Sequence, residues 1–98
     1  MESDIKKTVD DLNRRLLALD QHFTQYFNGR SNKPPVQELE KLKHAVTKLT
    51  EVKNRTSAYA QRFMATSFTQ RFMTYQHKWE QCLLDIEKGR QERHSRRE

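Results

Sequence analysis

The sequence predicts an all-α fold, a three-helix antiparallel bundle with a long third helix. Three observations support this prediction. Apolar residues recur at helical spacing in three separate segments. Only two glycines and two prolines occur among the 98 residues, which leaves little room for the turns of an all-β fold. Hydrophobic residues make up 34% and charged residues 33%, a balance that suits helices with one buried stripe each.

The first helix is predicted over residues 4–27. Its apolar residues alternate between spacings of four and three, the heptad pattern that is typical of coiled-coil packing. They are Ile5, Val9, Leu12, Leu16, Leu19, Phe23 and Tyr26. Asn28 and Gly29 then predict its end, because glycine adopts the left-handed capping conformation without a Cβ clash.

The second helix is predicted over residues 35–53, after the loop NGRSNKPP at residues 28–35. The two prolines of this loop favour a helix start, because proline suits the first helical turn. The apolar stripe consists of Val36, Leu39, Leu42, Val46 and Leu49, with Val52 beside it. The lysines lie off this stripe and are interpreted as solvated: Lys41, Lys43, Lys48 and Lys53.

The third helix is predicted over residues 57–88, and it contains a near repeat: QRFMAT at 61–66 and QRFMTY at 70–75. Nine residues at about 100° each leave a net half turn, so Phe63 and Phe72 should point to opposite sides. Phe72 falls on the core stripe, with Phe68, Tyr75, Trp79, Leu83 and Ile86. Phe63 falls on a second apolar face, with Tyr59, Met73 and His77. An alternative is a helix break near Thr66, because Ser67 and Gln70 fit a capping box.

The predicted third helix is longer than the second by roughly a dozen residues, or about 18 Å. The part of the third helix that extends beyond the second begins near Tyr75 and contains Trp79, whose apolar ring must be buried by other residues. Two covers are predicted together: the loop prolines with Tyr26 and Phe27, and a second copy of the chain, which would make a homodimer. Residues 1–89 thus form one bundle domain, and the basic residues 90–98 are predicted to be a disordered tail.

Scattered aromatic and turn residues resemble a small helical domain family of delta-proteobacteria. They are Tyr26, Phe27, Asn28, Gly29, Lys33, Pro34, Pro35, Arg71, Phe72, Thr74, Tyr75, Trp79, Asp85, Ile86, Glu87 and Gly89. The resemblance covers about residues 20–90, so the heptad at residues 5–19 lies outside it. It implies a helical scaffold with an adaptor-like role and no assigned chemistry.

Several function classes lack a signal in the sequence. The four histidines lie in separate segments and do not pair at metal-ligand spacing with each other or with Cys82, so no metal site is predicted. No Gly-rich phosphate loop or paired nucleophile and base is visible, so neither a cofactor nor an enzyme is predicted. The single cysteine indicates a reducing compartment, and the lack of a long apolar run argues against membrane insertion; a cytoplasmic protein is expected.

The sequence therefore favours a non-enzymatic module for protein–protein interaction, an adaptor that is able to self-associate. Aromatic residues and Met are enriched in interface cores, and basic residues would steer an acidic partner. The predicted partner-binding residues on the third helix are Tyr59, Phe63, Met73, Tyr75, His77 and Trp79. The net charge of +6 also permits an alternative, a nucleic-acid-binding bundle. The residues of that alternative are Lys41, Lys48, Arg55, Arg62, Arg90, Arg93, Arg96 and Arg97.

Overall fold

Three helices account for almost all of the described chain, and they confirm the predicted fold class. The computed structural model describes residues 2–88, and their side chains from Ile5 onward. Helix α1 spans Glu2–Phe27, α2 spans Val36–Arg55 and α3 spans Tyr59–Glu87. The observed boundaries differ from the predicted ones by at most two residues. The predicted tail, residues 90–98, lies outside the described residues.

The turns follow the local sequence. The backbone of Gly29 has φ of 84°, so this residue ends α1 as its lack of a Cβ predicts. Pro35 immediately precedes α2, and its carbonyl accepts a hydrogen bond from the Leu39 amide. Between α2 and α3, the hydroxyl of Thr56 accepts a hydrogen bond from the amide of Ala58, 3.3 Å away.

Side-chain contacts fix the directions of the helices. Asn13 on α1 pairs with Arg71 on α3, and Asp20, two turns further along α1, pairs with Trp79. Both contacts advance in the same sense, so α1 and α3 run parallel. The short connections make α2 antiparallel to both, which is the predicted up-down-up arrangement.

One hydrophobic core runs along the bundle axis, and each helix contributes one stripe to it. Within the described chain the buried core contains no polar side chain. Six of the seven heptad residues of α1 are buried, and Tyr26 is half-buried. The core residues are Ile5, Val9, Leu12, Leu16, Leu19, Phe23, Leu39, Leu42, Leu49, Ala65, Phe68, Phe72 and Trp79.

The near repeat in α3 occupies opposite faces of one uninterrupted helix. No break occurs near Thr66, because α3 continues from Tyr59 to Glu87. Phe72 is 3% exposed, whereas Phe63 is 60% exposed. The following methionines show the reverse pattern: Met64 packs against the core and Met73 faces outward. The prediction that equivalent residues of the two repeats lie on opposite faces is therefore confirmed for both the Phe and the Met of each repeat.

Candidate interaction surfaces

Trp79, predicted as a partner-binding anchor, is fully buried at 0% exposure. Its ring stacks on Phe23 with centroids 4.6 Å apart, and Tyr75 meets it edge-on at 5.9 Å. The indole Nε1 donates a hydrogen bond to Asp20 Oδ1 over 2.9 Å, and Lys78 Nζ lies 3.0 Å from the same oxygen. Trp79 is therefore held inside the bundle and is not available to a partner.

Helix α1 covers Trp79, because the ring of Phe23 stacks on it. The greater length of α3 relative to α2 does not expose this ring, since α1 runs parallel to α3 beside it. Phe27 does contribute, since its ring stacks on Phe23 at 5.7 Å. A second copy of the chain is not needed to bury Trp79.

Four of the remaining predicted partner residues form a sparse row on the outer face of α3. Tyr59 is 81% exposed, and its ring stacks on that of Phe63 with centroids 6.4 Å apart. Met73 follows ten residues after Phe63, about 15 Å along the helix, and the exposed His77 lies one turn further on. Tyr75 is half-buried against the core. The structure thus brings Tyr59 and Phe63 together but leaves the others apart from them.

The residues predicted for nucleic-acid binding also do not form one surface within the described structure. Arg62 Nη1 donates to the carbonyls of Lys53 and Thr56, at 3.3 and 3.4 Å, so Arg62 caps the end of α2. Lys41, Lys48 and Arg55 are exposed along one side of α2. The four tail arginines, Arg90, Arg93, Arg96 and Arg97, lie outside the described residues.

A groove, which sequence reasoning missed, runs between α1 and α2. Its wider part has a volume of about 780 Å³ and a floor of apolar side chains, Ile5, Leu12, Leu49 and Val52 among them. A second, narrower cavity of about 240 Å³ adjoins it at Arg15, which lines both, and reaches His22 and Glu38; the two together are called the groove. From Ile5 to His22 the groove follows about 25 Å of α1, more than four helical turns.

Small side chains create the groove. Ala45 and Thr8 line the wider part, and Ala18 lines the narrower part. None of them is long enough to fill the space between two packed helices. A faint signal was present in the sequence: Ala45 and Val52 both flank the apolar stripe of α2 rather than extend it.

The rim of the groove is basic. Both helices contribute cations: Lys7 and Arg15 from α1, and Lys41, Lys48 and Arg55 from α2. The carboxylates at the rim are Asp11 and Glu38. Asp11 also lies 3.7 Å from the guanidinium of Arg14, which lies outside the groove lining.

The interface between α2 and residues 5–25 of α1 also differs from the other two helix interfaces in its polar contacts. Lys53 on α2 reaches Thr66 on α3 at 3.4 Å, and Arg71 on α3 reaches Asn13 on α1 at 2.7 Å. No side-chain hydrogen bond or ion pair joins residues 5–25 of α1 to α2. Between residues 5–25 of α1 and helix α2, therefore, apolar contacts alone hold the two helices together, and the groove lies along this part of their interface.

Two other kinds of site were sought within the described part of the chain. No three His, Cys, Asp or Glu side chains of residues 5–88 lie together as metal ligands would. None of the three helices, as far as they are described, is long and apolar enough to cross a membrane. Cys82 is a half-buried free thiol beside the core stripe.

Comparison with protein-family models, with curated proteins and with solved structures finds no match for this chain. The resemblance to a delta-proteobacterial helical family stays a prediction. Function is therefore argued from the geometry of the bundle and its surfaces.

Proposed function

We propose that this chain is a non-enzymatic interaction module that binds one α-helix of a partner protein in the groove between α1 and α2. The observation that carries the proposal is the groove itself, an apolar channel along which residues 5–25 of α1 form no side-chain hydrogen bond or ion pair with α2. A module of this kind needs no cofactor. The lone cysteine agrees with work in a reducing compartment such as the cytoplasm.

A helix is the occupant that fits this shape. Two antiparallel helices form most of the walls, and the length of about 25 Å along α1 matches roughly 17 helical residues. An amphipathic helix would place aliphatic side chains, spaced three and four residues apart, over Ile5, Leu12 and Leu49. Packing would then resemble a fourth helix added to the bundle.

The outer face of α3 lies on the side of the bundle opposite the groove. A partner in the groove would leave Tyr59, Phe63 and Met73 free for a second contact, as an adaptor requires. Self-association through this face stays a prediction. Sedimentation equilibrium over a range of protein concentrations tests it, with Phe63→Ser as the variant expected to weaken any dimer.

Nucleic-acid binding is the second candidate, and it is supported by the exposed Lys41, Lys48 and Arg55 on one side of α2. Two observations weigh against it. Arg62 is occupied as a helix cap, and the aromatic pair Tyr59–Phe63 faces away from these cations, so base stacking and phosphate contacts would fall on different sides. We therefore favour the protein partner.

The proposal is tested with an 18-residue peptide that has a leucine stripe at helical spacing and glutamines elsewhere, titrated into the ¹⁵N-labelled full chain. Amide shifts are expected at Thr8, Ala45 and Leu49. Val52→Glu, which puts a charge on the groove floor, should weaken binding, because a leucine of the peptide would then have to displace water from that carboxylate.

Val36→Glu is the matched control. It is the same substitution on the same helix, at a site of similar exposure: 49% for Val36 against 42% for Val52. Val36 lies outside the groove, so this variant should bind the peptide as the unmodified chain does. Shifts confined to α3, or equal loss in both variants, would contradict the proposal.

A further inference from the structure

The basic residues at the rim of the groove indicate which charge the partner helix has. Lys41, Lys48 and Arg55 on the α2 wall are seven residues apart, so they lie on nearly one face of the helix at steps of about 10.5 Å. On the α1 wall, Lys7 and Arg15 are separated by about 12 Å along the helix. The α2 side of the groove thus has a row of three cations, and the α1 side has two cations with one carboxylate between them.

These cations are not committed to the bundle. None of the five donates a hydrogen bond or forms an ion pair with any residue between 5 and 88, whereas other basic side chains do: Lys6 with Asp10, Lys43 with Glu40, and Lys78 with Asp20. Five cations face two carboxylates along the groove, and Asp11 is already near Arg14. The lining of the groove therefore has three more cations than carboxylates.

We propose that the partner helix is acidic on both flanks of its apolar stripe, with Asp or Glu at seven-residue spacing on the flank that faces α2. This inference rests on the proposed function, because it specifies the occupant of the same groove. The two spacings agree: carboxylates that recur every two turns of a partner helix also step by about 10.5 Å, and would follow Lys41, Lys48 and Arg55 one by one.

The charge pattern also explains how a groove with an apolar floor selects its partner. Leucine stripes are common to many amphipathic helices, so the floor alone discriminates poorly. A partner helix with basic flanks would place its positive charges beside the cations of both walls. The repulsion between these like charges excludes such a helix. The cations also raise the rate of encounter with an acidic segment, an effect that salt screens over about 10 Å at 0.1 M.

Three peptides with one leucine stripe test the inference against the full chain by isothermal titration calorimetry. The first has glutamates at seven-residue spacing on both flanks. The second has the same composition, with the glutamates moved to the back of the helix. The third has lysines on the flanks. We expect the first to bind at least about thirtyfold tighter than the second, since five exposed pairs contribute about two- to fivefold each, and the third not to bind measurably.

Matched charge variants locate the effect on the protein. Lys48→Gln with Arg55→Gln should weaken binding of the flank-acidic peptide about tenfold. Arg30→Gln with Lys33→Gln removes the same net charge from the loop outside this groove and should leave the affinity unchanged. Circular dichroism confirms that both double variants keep their helices.

The outcomes separate the two proposals. Equal affinity for the flank-acidic, back-acidic and glutamine-faced peptides would overturn the inference about charge and leave the helix groove standing. If no peptide shifts the groove resonances, the proposed function itself fails. If single-stranded DNA at 0.15 M salt shifts the same resonances and displaces the flank-acidic peptide, the partner is a nucleic acid and the inference is overturned.

Discussion

Alanine substitution at Phe63 and at Phe72 tests the fold with an internal control, because both phenylalanines follow Gln-Arg and precede Met on one helix. Phe72 is 3% exposed, so Phe72→Ala removes buried surface, leaves a cavity and should cost about 3–5 kcal/mol of unfolding free energy. Phe63 is 60% exposed and loses mainly its stack on Tyr59. Phe63→Ala should therefore change stability by no more than about 0.5 kcal/mol.

Urea unfolding followed by circular dichroism at 222 nm measures both variants. With a urea dependence of about 1.5 kcal/mol per M, Phe72→Ala should lower the midpoint by about 2–3 M. Domains of this size have about 5–15 kcal/mol of stability in total, so this variant approaches complete unfolding. Phe63→Leu and Phe72→Leu repeat the comparison at a smaller cost, about 1 kcal/mol for the buried site. Similar midpoints for the two alanine variants would refute the assignment of opposite faces.

Three further predictions concern polar and aromatic contacts. Asp20→Ala should cost about 1–3 kcal/mol, because it leaves the buried Trp79 N–H without an acceptor, whereas Asp20→Asn keeps an acceptor and should cost less; equal losses in urea unfolding would contradict this role. Arg62→Gln should speed amide hydrogen exchange in the last turn of α2, where its guanidinium contacts the carbonyls of Lys53 and Thr56, and unchanged exchange there would show that the cap contributes nothing. Trp79 fluorescence should resist iodide quenching until the chain unfolds, and quenching of the native protein would show that α1 does not cover this ring.

The helices were predictable because each has its own periodic signal. The alternating spacing in α1, the loop prolines before Val36 and the half-turn offset between Phe63 and Phe72 are all local properties of the chain. They gave the element boundaries within two residues and the correct faces for both halves of the repeat. The same local signals gave the direction of packing, because short connections favour antiparallel neighbours.

The cover over Trp79 was not predictable in the same way. It depends on how far α1 extends beside α3, which involves residues almost 60 positions apart in the chain. The stack of Phe23 on Trp79 and the bond from Trp79 to Asp20 are both consequences of that register. A comparison of helix lengths that includes all three helices would have predicted a covered tryptophan, and would have removed the main reason to expect a dimer.

The groove was missed for a different reason. Periodicity identifies the side of a helix that faces the core, but a groove forms between flanks, where the size of a few side chains decides the result. Ala45 on α2 and Ala18 on α1 leave space there, and neither interrupts the apolar stripe of its helix. The lysines beside them look solvated in the sequence, and only the packed bundle shows that they border an apolar floor.

The distribution of side-chain hydrogen bonds and ion pairs between the helices connects the stability of the bundle with the proposed binding site. Among residues 5–25, 36–55 and 59–87, every side-chain hydrogen bond or ion pair between two helices has one partner on α3: Asn13 with Arg71, Asp20 with Lys78 and Trp79, and Lys53 with Thr66 and Arg62. Helix α3 therefore fixes the positions of α1 and α2 separately. A helix entering the groove can move α2 away from residues 5–25 of α1 without breaking a side-chain hydrogen bond or ion pair between them, because the contacts that yield there are apolar and the incoming aliphatic stripe replaces them. If side-chain hydrogen bonds joined α1 to α2 across the groove, they would have to break before a helix could enter it. The open seam therefore lowers the cost of binding, while the bonds to α3 keep the fold intact.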